Sequence, residues 1–225
     1  MFKKLLLIIP IAIFFGAMQV QAYSSSVPQA TAIKEQSHQQ LLSKDEMSLQ
    51  NRYSNAYIND VFKDNILLNL AYLSGRVENA SQINWDDVRT PSTYEFTLQP
   101  GEVFAYHDDV LPEFEGRIAK IGGSHFGAID GYRSSGALYG DGVCHFATLI
   151  NWAARDAGLK VVAPTNHNFA VVPGIDPMYG TSIYYDPNQP TVSQMQNLYV
   201  ENNLDVPVTF VFNNKGDALE VSIYK

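Results

Sequence analysis

Cysteine is nearly absent: one residue, Cys144, in 225. An internal disulfide is therefore excluded, and the thiol is either a small buried apolar group or a reactive one. Charge is also sparse, at 17% of residues, and basic residues are the minority at 15 against 23 acidic, a formal net charge of −8. An acidic chain with no basic cluster is a poor partner for nucleic acid or an anionic membrane, and more easily accommodates a small or cationic ligand. No tight ligand spacing of the His-Glu-x-x-His kind occurs, so neither a metal nor another cofactor is expected, and a metal-binding module built on Cys144 and histidines is the weakest of the readings weighed below. Internal repeats are lacking. Past residue 22 there is no apolar run of the roughly 18 residues that a membrane span needs.

What is present begins with MFKKLLLIIPIAIFFGAMQVQA. Lys3 and Lys4 form a basic start, Leu5 to Phe15 an apolar core, and Val20-Gln21-Ala22 a small-residue cleavage site, the pattern of a secretory signal peptide over residues 1–22. An uncleaved anchor is the rival reading, disfavoured by the short apolar core. Loss of Lys3 and Lys4 takes the formal charge from −8 to −10. The expected location is outside the cytoplasmic membrane: periplasmic, extracellular or cell-wall associated, with no stable membrane span after cleavage. Oligomeric state is not legible.

Residues 23–48 are rich in Ser, Gln and Ala and read as a flexible lead-in. Residues 49–225 suit a single domain, with ample material for a core in 13 Tyr, 12 Phe and 46% hydrophobic residues. Tyr57, Val61, Leu68 and Tyr72, with Ile58, Phe62, Ile66 and Leu70, fall at helical spacing within Leu49 to Leu73, and Gly75 is a natural stop. Asn79 to Pro91 reads as loop or a short turn. Tyr94, Phe96 and Leu98 alternate with polar residues as in a half-buried strand, Gln99 to Glu102 form a turn, and Val103 to Tyr106 resume as strand. Leu111 to Leu138 is glycine-rich and reads as a long loop with short strands.

A helix is expected over Cys144 to Ala157, with Phe146, Ala147, Ile150, Ala153, Ala154 and Ala157 as its apolar stripe and Gly158 as its stop. Strands are expected at Leu159 to Ala163, Asn168 to Val172, Thr181 to Tyr185, Leu198 to Glu201, Val206 to Phe212 and Ala218 to Tyr224. The fold class is α+β: one domain with an N-terminal helix, a central Cys-bearing helix and a mainly antiparallel C-terminal sheet.

The chemistry centres on the stretch Gly140-Asp141-Gly142-Val143-Cys144-His145. A thiol needs to become a thiolate to act, and the unpaired N–H groups of a helix start favour that ionisation. Glycines beside it, Gly142 above all, let a substrate backbone approach. His167, at the start of an expected strand after the helix, is the candidate base, an order also found in papain-like cysteine peptidases. Asp186, Asp176 and Asn168 are candidates to orient His167, Asp186 first. The Cys144 backbone N–H with His145 or His107 can supply oxyanion donors, and Tyr184 a stacking surface. The plain alternative is a buried structural cysteine, and Asp141 argues for it, since a nearby carboxylate raises a thiol pKa. His145, about 100° round the helix from Cys144, either flanks the site or faces solvent. His125 reads as a loop residue and His38 as part of the tail.

The runs NILLNLAYLSG (Asn65 to Gly75), LQPGEVFAY (Leu98 to Tyr106), GDGVCHFATLINWAARDAGL and NLYVENNLDVPVTFVF (Asn197 to Phe212), with Gly131-Tyr132 and His167, resemble the VanW-like family over roughly Asp64 to Phe212. Members of that family commonly read Gly-Gly-Gly-Val-Cys-Gln-Val-Ser; here His145 stands for glutamine, Ala147 for serine, and His107 where asparagine is common. The resemblance implies a bacterial envelope context rather than a defined reaction. Two functions follow as expectations: a Cys/His hydrolase or transpeptidase acting on peptidoglycan-type peptides, or a non-catalytic module binding cell-wall peptides or another exported protein.

Overall fold

Four strands that begin and end the domain build its larger sheet. β1 (Leu41–Ser48), β8 (Ala218–Tyr224), β7 (Val208–Asn214) and β2 (Ser92–Leu98) lie side by side in that order, every pair antiparallel. The computed structural model describes residues 39–136 and 140–225. The β7–β8 hairpin turns at Gly216, whose φ of +90° suits a residue without Cβ. Phe96 faces Phe210 across the β2–β7 ladder, ring centroids 5.0 Å apart and nearly parallel, and Phe210 and Phe212 are fully buried. Such cross-strand aromatic pairs fix the register because a one-residue slip would turn them to solvent.

The smaller sheet has the order β4 (Ile118–Ile121), β3 (Val103–Ala105), β6 (Tyr199–Glu201), β5 (Lys160–Val162); β3 and β4 are parallel, the other pairs antiparallel. Helix α3 (Val143–Asp156) packs on the larger sheet and against β5. Its stripe of Phe146, Ile150 and Ala153 is buried, Phe146 meets Phe212 edge-on, and the Ser43 hydroxyl donates to Ala153 O at 2.7 Å. Gly158, φ +77°, ends the helix by returning its N–H to Arg155 O.

Helix α1 (Ala56–Leu73) is capped by Asn55, whose Oδ1 accepts the Ile58 N–H, and lies against α3. Its buried asparagines tie down irregular backbone. Asn59 holds Arg52 and Leu49, and Asn65 bonds Arg133 N, Arg133 O and Asp141 O. Buried polar backbone must find partners, and here α1 supplies them for the loop that leads into α3. Two short helices complete the chain, α2 (Trp85–Arg89) and α4 (Pro190–Met195).

The architecture is α+β with a mainly antiparallel sheet, as the sequence pattern implies. Several boundaries differ. Residues 41–48 are a paired strand, not part of a flexible lead-in; residues 23–38, and the signal pattern of 1–22, lie outside the described residues. The first helix starts at Ala56, after the Asn55 cap, rather than at Leu49. Asn168 to Val172 forms turns, so His167 does not open a strand, and Thr181 to Tyr185 joins no sheet. Among the described residues no helix is long and apolar enough to cross a membrane.

Candidate functional site

Gly142 sets the entry to α3. It is the N-cap, with φ +99°, and a Cβ there would lie 2.6 Å from Phe62 O on α1. Only glycine permits both the left-handed backbone and the contact. Two residues on, Cys144 is half-buried in the first turn. Its Sγ accepts the Ile183 N–H at 3.3 Å and lies 3.7 Å from Ile183 O, so the backbone of the segment 181–185 covers it on one side. Burial pushes the thiol up to about 11, outweighing the lowering effect of the Ile183 and Cys144 backbone. The Asp141 carboxylate turns elsewhere, accepting Ser135 N–H at 2.9 Å.

The histidines divide between two sides of α3. His145 is buried against Phe62 and stands 6.1 Å, ring to ring, from His167; its Nδ1 has no hydrogen-bond partner. Burial, then the charges of Arg52 and His167, lower its pKa to about 3. Arg52 is itself buried, 2% exposed, and burial lowers it to about 10. His167 Nδ1 pairs with Ala170 O at 3.0 Å, and its pKa is lowered by burial. It lines a cavity of about 80 Å³ with Asn168, Asp176 and Gly180. His107, on the side of Tyr106, is fully buried; its Nε2 meets Gln196 O at 3.1 Å, Asn197 flanks Nδ1, and burial lowers its pKa.

Among the described residues, hydrogen bonding therefore does not assemble Cys144, His167 and Asp186 into a relay. The thiol is bonded to Ile183, His167 to Ala170, and Asp186 to its own turn, where it accepts Asn188 N–H at 2.9 Å and Gln189 Nε2–H at 2.7 Å. Those bonds hold the exposed Asp186 carboxyl below its usual range. Tyr184 is 41% exposed, and its hydroxyl reaches Asp186 at 3.4 Å. The structure does join His145 to His167, and Gly142 to Cys144 through the helix start.

Other features around the same helix start are tertiary. Tyr106 donates to Val143 O at 3.1 Å, and burial raises both its pKa and that of Tyr132 well above the usual value. Phe126, at φ +67°, is the one non-glycine residue in the left-handed region among those described, and Gly140 leaves room for its carbonyl. Beside it, His125 Nε2 pairs with Asp108 at 2.9 Å while its ring stacks on Tyr185 at 3.8 Å. Among the described residues no group of three or more His, Cys, Asp or Glu is placed to hold a metal ion.

A family model described as VanW like protein matches residues 89–224, which span α3, the thiol, the smaller sheet and three of the four strands of the larger one. The chain belongs to the VanW-like family. The same comparisons find no match among curated proteins or solved structures. The VanW-like match begins at Arg89, so all of α1 and all of β1 pack onto the matched region from outside it.

One cluster escaped the sequence reading. On α1, Asp64 is 3% exposed and accepts a bidentate pair of bonds from Arg89, at 2.8 Å each, and a further bond from Arg133. Asp64, Arg89 and Arg133 are far apart in sequence, and none has a motif around it. The one available signal is Asp64 as the one charged residue among the buried positions of α1.

Proposed function

We propose that this is an exported cell-envelope protein whose VanW-like domain is a non-catalytic module binding cell-wall peptides or another exported protein. The observation that supports it best is the state of Cys144. Its sulfur is bonded to the Ile183 backbone and its pKa is raised to about 11, the opposite of what a nucleophilic cysteine needs. Export is supported by the basic, apolar and small-residue pattern of residues 1–22. The hydrolase or transpeptidase reading draws on the place of Cys144 in the first turn of α3, and would require the 181–185 segment to lift and a base to approach.

Alkylation of Cys144 across pH, in the wild type and in His167→Ala, separates the two. A thiol raised from 9 to about 11 labels about a hundredfold more slowly at neutral pH than an ordinary one, on ionisation alone. The module reading expects that slow rate, unchanged by His167→Ala, and fast labelling after denaturation. Rapid labelling near pH 6 that disappears in His167→Ala would establish an activated thiolate and sink it.

A further inference from the structure

We propose that the open cavity between α1, α2 and the loop at Arg133 is an oxyanion-binding site, taking a carboxylate or a phosphate at the end of a small ligand. The cavity has a volume of about 410 Å³ and is lined by Tyr57, Asp60, Lys63, Asp64, Arg89 and Arg133. Three of these are cationic and two anionic, a local excess of positive charge in a chain whose net charge is −8.

The guanidinium groups are held in place before any ligand arrives. Asp64 takes Arg89 through Nε and Nη2 and Arg133 through Nη1, so both of its oxygens are engaged. Both guanidiniums also sit over the Trp85 ring, at 5.6 and 5.9 Å. One carboxylate neutralises one of the two cations. Among the described residues, Arg89 Nη1 and Arg133 Nε and Nη2 make no hydrogen bond, and the two side chains remain 43% and 34% exposed. Lys63, one residue before Asp64, adds a third cation with no ion pair among those residues. Asp60 lines the same cavity and Asp86 also acts on Arg89, so the carboxylates offset much of the positive field, and the N–H groups left over, rather than net charge, would select one small anion over a polyanion. Paired guanidiniums with N–H groups left over are the arrangement that grips a carboxylate or phosphate in two-pronged fashion, and their fixed geometry lowers the entropy cost of binding.

The site does not depend on Cys144. It deepens the module reading only where the oxyanion is the C-terminal carboxylate of a peptide, and there it rests on that reading. An NMR titration that follows the arginine Nε–H signals of the purified protein tests it with three probes: inorganic phosphate, N-acetyl-Ala-Ala, and the C-terminal amide of that dipeptide. Saturable shifts at Arg89 and Arg133 with phosphate or with the free acid, but not with the amide, are expected. Lys63→Gln, at a half-buried position, should weaken them about fivefold to tenfold. Response to phosphate alone would keep the anion site and remove the peptide; response to the free acid alone would name the peptide terminus as the ligand. No saturable shift with either anion, or shifts equal for acid and amide, or shifts unchanged in both Lys63→Gln and Arg133→Gln, would overturn the proposal.

Discussion

The loop Gly140 to Gly142 separates two polar regions that treat ionisable groups in opposite ways. Around the start of α3, burial drives the Cys144 thiol and the Tyr106 and Tyr132 phenols up, and His107, His145 and His167 down, so all six groups are neutral at neutral pH. Across the loop, Asp64 faces both Arg89 and Arg133, solvent reaches both, and the hydrogen bond to Asp64 holds the Arg89 guanidinium above its ordinary pKa. The difference lies in partners rather than composition. A titratable group taken from water without an opposite charge is pushed toward its neutral form, far enough to neutralise a histidine but not Arg52, which burial lowers only to about 10. Chemistry that needs a charge is better served on the arginine side.

The sharpest way to break this contrast is Asp64→Asn. It leaves two guanidiniums without a counter-ion, and loss of one member of a buried pair costs about 3–5 kcal/mol; solvent at both arginines reduces that to about 2–4 kcal/mol. Denaturant unfolding reads the loss directly. Added phosphate should restore more stability to this variant than to the wild type.

Gly142→Ala attacks the divider itself. A Cβ would sit 2.6 Å from Phe62 O at φ +99°, and the strain and overlap together cost about 2–3 kcal/mol by the same measurement. Both regions should loosen, with Cys144 labelling faster than in the wild type. A variant as stable as the wild type would show that α1 and α3 are not clamped at this point.

The third effect is a slope, small per pH unit although it accumulates across the acid range. His145 has a pKa near 3 in the folded protein against 6.5 in the unfolded chain, so its contribution is fully present above pH 6.5 and is lost as pH falls below it. Stability should drop by about 1.4 kcal/mol per pH unit in that range from His145 alone. His107 and His167, shifted the same way, add to the slope. His145→Gln should flatten the curve between about pH 6.5 and pH 4.5 while leaving stability above pH 7 nearly unchanged. An unchanged slope would place a protonated His145 in the folded state and undo the neutral side of the comparison.

Elements with a clean period and an obvious stop were legible. α3 is written in its apolar stripe and Gly158, and β8 in seven residues that match its observed ends. β1 was not, because it is an edge strand whose inward residues include Ser43 and Asp45 beside Met47; its alternation shows in burial and hardly in hydrophobicity. Asn168 to Val172 looks like a strand in β-branched and aromatic content, yet Phe169 and Val171 point to solvent from turns that no neighbouring strand pairs. At the site, the local fact was readable, a cysteine just inside a helix after glycines. The long-range facts were not. The cover over the sulfur comes from Ile183, 39 residues away, and Asp64 meets Arg133 across 69 residues. No spacing rule reaches that far.

The pairing of β1 with β8 also sets an order of events. Leu41 faces Tyr224, and Gln40 exchanges backbone hydrogen bonds with Lys225 at 2.7 and 2.9 Å. β1 thus has no strand to pair with until residues 218–224 have been synthesised, about 170 residues later, which makes its docking a late, long-range step in folding.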